Sequence, residues 1–129
     1  MDRSAPPKSN MKKSKSSQPA KWYHQLNRDA VNEAFEDATV DANGVNDQLT
    51  GLFYTIAEDM EFPFQGSVLG DIVSILDVEM PDNDRLGIDL VIEKNGKQSR
   101  IEARSVEVLP PYPEGHLYLA AYLFWKERM

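Results

Sequence analysis

Cysteine is absent from the sequence, and that alone removes disulfide staples, thiolate metal sites and any cysteine nucleophile. Histidine is scarce. His24 and His116 are the only two, and each sits beside aromatic residues, where an isolated imidazole usually packs or faces water. No apolar run approaches the roughly 18 to 20 residues of a membrane helix. The N-terminal lysines are not followed by the apolar stretch of a secretory signal. Also missing are the GxSxG nucleophile elbow, the phosphate-cradling GxxxxGK[ST] loop, the dinucleotide GxGxxG and the zinc-binding HExxH. Carboxylates abound, but nothing in their spacing marks two of them as an acid–base pair in a cleft. These absences predict a soluble, cytoplasmic protein that spans no membrane and is not an enzyme.

What is present is acid. The 129 residues carry 21 Asp and Glu against 14 Lys and Arg, a net charge of −7, with 41% apolar content, enough for one core. The charge is unevenly placed. Residues 1–21 hold six of the basic groups and one acid, leaving residues 22–129 with eight basic and 20 acidic groups. A folded part so acidic repels phosphate backbones, so it is not expected to bind nucleic acid; cations and basic partners are favoured. Residues 1–21 are rich in Ser, Lys and Pro and offer little apolar surface to offset ordering entropy. They read as a disordered basic tail, either simply solvated or acting as an arm that touches an acidic partner, the domain itself included. Residues 22–129 read as a single acidic domain.

Within that domain, Val31, Ala34, Phe35 and Ala38 recur at helical spacing and predict a helix over residues 28–40. A turn at residues 41–44 follows. Leu49, Leu52, Phe53, Ile56, Ala57 and Met60 form one wide stripe, predicting a second helix over residues 46–60 with Asn46 as its N-cap. Pro63 stops it, with Phe62 and Phe64 as core anchors. Strands are expected from Val68 onward: residues 71–78, residues 88–92, a return strand after an Asn95-Gly96 hairpin, and a short one at Val106 and Val108. Leu117, Leu119, Ala120, Leu123, Phe124 and Trp125 predict a last helix that is buried. The fold class is therefore α+β: N-terminal helices packed on a small antiparallel sheet or a partly open β-barrel, with a C-terminal helix.

The densest acid lies at residues 77–89, DVEMPDNDRLGID, which hold Asp77, Glu79, Asp82, Asp84 and Asp89 with only Arg85 opposed. Calcium suits such a stretch, since it takes six to eight oxygen ligands in a flexible geometry; magnesium demands stricter octahedral order. Asp77 and Glu79 are two apart, so on a strand they share a face. Pro81 and Asn83 bend the chain and can swing Asp82 and Asp84 towards them. Glu79, Asp82 and Asp84 with a backbone carbonyl and waters would complete a shell, Asn83 being a neutral candidate and Asp89 an outer one. The competing reading is a solvated acidic turn that blunts a sheet edge. A second acidic segment, residues 41–47, fails as an EF-hand loop. Counted from Asp41, the required glycine and glutamate positions hold Asn46 and Leu52.

Residues 40–68, VDANGVNDQLTGLFYTIAEDMEFPFQGSV, resemble the small cyanobacterial-type calcium-binding proteins and their wider bacterial relatives. The resemblance rests on Val40-Asp41-Ala42, Phe53-Tyr54, Glu58-Asp59 and Phe62-Pro63-Phe64. It continues through Gly70-Asp71, the acidic loop, the hairpin and the aromatic C-terminal helix, covering residues 28–126. Leu52 stands where the family leads one to expect Trp, and Arg85 interrupts the loop. The resemblance implies a small acidic calcium-binding domain acting as a buffer or sensor, with Ca2+ as its ion. Carried over by position, Glu79, Asp82 and Asp84 would be metal ligands, with Asp77 beside them. The alternative is a protein-interaction module that kept this fold and lost the ion.

Overall fold

The two N-terminal helices form where apolar residues recur every three or four positions. In a computed structural model, which describes residues 21–81 and 86–129, α1 spans Arg28–Ala38 and α2 spans Val45–Asp59. The Asn27 side chain caps α1 by accepting the Ala30 N–H at 3.0 Å. α2 begins one residue before the expected cap, so Asn46 lies inside the helix. Gly44, at φ 109°, turns the chain there, and its carbonyl accepts the Gln48 N–H at 3.0 Å. Before α1, a 3₁₀ turn at Trp22–Gln25 buries Trp22 and Tyr23. The expected basic tail lies, apart from Lys21, outside the described residues.

Five antiparallel strands follow: β1 (Phe64–Val68), β2 (Asp71–Glu79), β3 (Asp89–Lys94), β4 (Lys97–Glu102) and β5 (Glu107–Val108). Their order is β4-β3-β2-β1-β5, an open sheet, so the first of the two forms expected is the one adopted. The Asn95-Gly96 turn has positive φ at both residues, 55° and 79°, as a type I′ hairpin requires. β1 is the strand that the sequence pattern hides. At Gly66 a Cβ would meet Ile75 Cδ1 at 2.7 Å and the Glu107 carbonyl at 2.8 Å. The middle of β1 must be small to sit between β2 and β5, so it shows no apolar alternation.

The chain closes with α3 (His116–Glu127), in which Leu119 through Trp125 are all buried. α3 packs against α1 and α2. Its side chains join Leu52, Ile56, Ile75, Ile88, Leu90 and Val108 in one core, with Phe62 and Phe64 packed against its edge. No helix among the described residues is long and apolar enough to cross a membrane.

The start and end of the described chain are clasped. The Tyr23 hydroxyl donates to Glu127, and His24 Nε2 lies 2.9 Å from the same carboxylate. Burial works to raise the Glu127 carboxyl, but hydrogen bonds from Tyr23 and His24 outweigh it and hold it below its usual range. Burial, then the bond to Glu127, pushes the Tyr23 phenol well up. A lowered carboxylate contributes stability above its unfolded pKa, about 4.3, that is lost as pH falls through the folded value. A raised phenol contributes stability below about pH 10 that is lost as pH rises towards the folded value. Thermal melts across pH should therefore show Glu127→Gln flattening the acid decline and Tyr23→Phe flattening the alkaline one, each relative to the parent.

Candidate functional site

The outer face of the sheet owes its acid to one extra residue. β2 pairs Ile75 with Ile92 but Asp77 with Val91, leaving Leu76 as a β-bulge. In an unbroken strand Asp77 would follow Val73 and Ile75 onto the buried face. The bulge turns Asp77 and Glu79 outward and puts Val78 into the core instead.

Beyond the bulge, Glu79 lies opposite Asp89, and Asp89 lies opposite Glu102, a row of three carboxylates across three strands. Neighbouring strands are about 4.8 Å apart, so the charges in such a row repel. Two arginines answer this. Arg100, on the same face of β4, places Nε 3.2 Å from Glu79 Oε1 and Nη2 3.8 Å from Asp89 Oδ2. Its Nη2 also donates to the Met80 carbonyl at 3.4 Å, at the mouth of the β2–β3 loop. Arg104 Nε donates to Glu102 Oε1 at 2.6 Å. Asp89 is only 7% exposed, so its charge depends on such partners far more than the half-open Glu79 does.

Of the expected ligands, the structure describes Asp77 and Glu79. They share the outer face, as expected, and Asp77 is exposed with Oδ1 accepting the Val78 N–H at 2.8 Å. Asp82, Asn83, Asp84 and Arg85 lie outside the described residues. Among the described residues no group of three or more His, Asp or Glu side chains is placed to hold a metal ion. The expected outer member, Asp89, joins Glu79 through Arg100. Arg100, Glu102 and Arg104 were not singled out from the sequence. The signal was there for the first two: counting back from the two-residue Asn95-Gly96 turn sets Arg100 opposite Val91 and Glu102 opposite Asp89.

The outgoing arm of the loop is fixed from the core side. The buried Ile88 N–H donates to the Tyr122 hydroxyl at 2.8 Å, and the Ile88 carbonyl accepts the Ala103 N–H at 3.1 Å. Lys126 Nζ donates to the Leu86 carbonyl. α3 thus sets where Asp89 enters the sheet. By contrast, residues 41–44 turn the chain into α2 and residues 45–47 are its first turn, with Asp47 Oδ2 accepting the Asn43 N–H at 3.2 Å. The histidines pack: His24 stacks on Phe124, and His116 stacks on Tyr112.

The chain has the fold of two solved structures. One is the crystal structure of Anabaena CcbP, with TM-score 0.62 and 18% identity, covering 79% of this chain and 92% of that one. The other is a calcium-binding protein in its calcium-binding form, with TM-score 0.61 and 18% identity, covering 81% and 94%. They bear out the resemblance read from the sequence at the level of the fold. No family model and no curated protein matches the sequence.

Tyr122→Phe removes the acceptor of a buried N–H and should cost about 1–3 kcal/mol. Urea unfolding that shows no loss of stability would mean that the Tyr122 hydroxyl does not hold the loop.

Proposed function

We propose that this protein is a non-enzymatic calcium-binding protein, a buffer or sensor, that takes its ion at the β2–β3 loop. Asp77, Glu79, Asp82 and Asp84 supply the carboxylates. The observation that carries this reading is Arg100, whose guanidinium sits against Glu79, Asp89 and the Met80 carbonyl. A loop mouth that gathers acidic and carbonyl oxygens around a positive charge has the donor chemistry of a hard cation, and all its donors are oxygen. The fold shared with a protein solved in its calcium-binding form supports the same reading. On this reading calcium and Arg100 compete for Glu79, so Arg100 weakens the site while keeping the ion-free face from repelling itself.

That same arginine also favours the second reading, an interaction module of this fold that has given up the ion. If Arg100 satisfies the carboxylates permanently, the loop has no need of calcium.

Calcium should raise the melting temperature progressively with concentration, and magnesium should do so much less. Asp82→Asn with Asp84→Asn should abolish the effect. Calorimetry with no calcium heat, together with a melt indifferent to EDTA, would leave the interaction module standing. Arg100→Gln is expected to tighten calcium by roughly three- to tenfold, the scale of one partly exposed ion pair, about 1 kcal/mol. The same variant should be less stable than the parent in calcium-free buffer, because Asp89 loses a partner.

A further inference from the structure

Away from the sheet, a groove of about 540 Å³ runs between α1 and the approach to α3. Three carboxylates line it, Glu33 and Asp37 from α1 and Glu114 from the segment before α3, and no lysine or arginine lies among its described lining residues. Its floor and wall are aromatic. Tyr112 and His116 stack at 5.0 Å and 25°, and Tyr118 donates to Asp37 Oδ2 at 2.8 Å. That bond, with burial and the nearby charges of Asp37 and Asp59, raises the Tyr118 phenol. Gly115, at φ 85°, packs so closely on the end of α2 that a Cβ would meet the Asp59 carbonyl at 2.6 Å. That contact holds the approach to α3 against the end of α2.

Acid above aromatic rings is a surface for lysine and arginine, which gain charge attraction from the first and cation–π contact from the second. The chain carries such a segment. Residues 1–20 hold Arg3, Lys8, Lys12, Lys13 and Lys15 against the single acid Asp2. They join the described part at Lys21, and the next residue, Trp22, lies with its ring 5.7 Å from that of Tyr112 in the groove wall. Lys21 itself lines a neighbouring pocket with Leu69, Arg104 and Glu107, so the attachment point is joined to the groove wall through the Trp22 ring. From Lys21 the chain reaches up to about 20 Å to Lys15 and about 43 Å to Lys8, which sets how far from Lys21 each lysine can dock. We propose that residues 8–15, KSNMKKSK, dock in this groove within the same molecule, lysines against Glu33, Asp37 and Glu114. The acid row on the sheet face is already answered by Arg100 and Arg104.

The absence of cysteine makes the test direct, because a nitroxide placed through Ser14→Cys labels one site. In the full chain, amide signals around Glu33, Asp37 and Glu114 should be lost while those of β3 and β4 persist. The signals should return when Lys8, Lys12, Lys13 and Lys15 are all replaced by Gln, and also at high salt, where exposed charges are screened. Losses spread evenly over the domain, or unaffected by removing the lysines, overturn the proposal. Losses that appear only when spin-labelled chain acts on separate isotope-labelled chain also overturn it, by assigning the contact to a second copy.

Discussion

A helix that is apolar on nearly every side has to be surrounded, and α3 sets that condition for the whole molecule. Its run from Leu119 to Trp125 is buried without a break, so partners are needed on all sides. α1 and α2 provide two walls, and the sheet residues of the same core provide another. The few polar groups that α3 takes inside are given partners. Tyr122 meets the Ile88 N–H, and Trp125 Nε1 donates to Gln48 Oε1 at 2.9 Å. The first of these ties the core directly to the loop on the other side of the sheet edge. Packing and the candidate site are joined by that hydroxyl and by Lys126 on the Leu86 carbonyl.

The sheet is asymmetric by design of its charges. Its inner face holds Ile75, Val78 and Leu90, and its outer face holds Asp77, Glu79, Asp89 and Glu102. A single extra residue in β2 decides which side receives the acid. Once three carboxylates share a row, some cation must accompany them. The protein supplies Arg100 and Arg104 from the neighbouring strand and the turn after it. A bound ion at the loop would thus enter a setting in which positive charge is already expected.

The helices were legible because their burial follows a regular period, and the Asn95-Gly96 hairpin because only such residues suit two positive φ values. β1 was not, since Gly66 is selected by contact with β2 and β5, which are distant in sequence. The shared face of Asp77 and Glu79 was legible from their spacing, but the bulge that turns that face outward was not. Nothing in Ser74-Ile75-Leu76-Asp77 announces where pairing with β3 will slip by one. The role of Arg100 was hidden for a related reason. Its partners lie on two other strands, and an alternating Ser-Arg-Ile-Glu strand looks like any solvated edge until the register is counted.

The clasp between Tyr23 and Glu127 joins positions 104 apart, and α3 lies at the far end of the described chain. A ribosome delivers the 3₁₀ turn, both early helices and all five strands before it delivers the helix they enclose. Until residue 125 has emerged, α2 can meet β2 and α1, but the helix that fills the core between them is missing. The part of the core built around α3 can therefore be completed only at the end of synthesis of the described chain. Until then the nascent chain carries exposed apolar surface of the kind that chaperones hold.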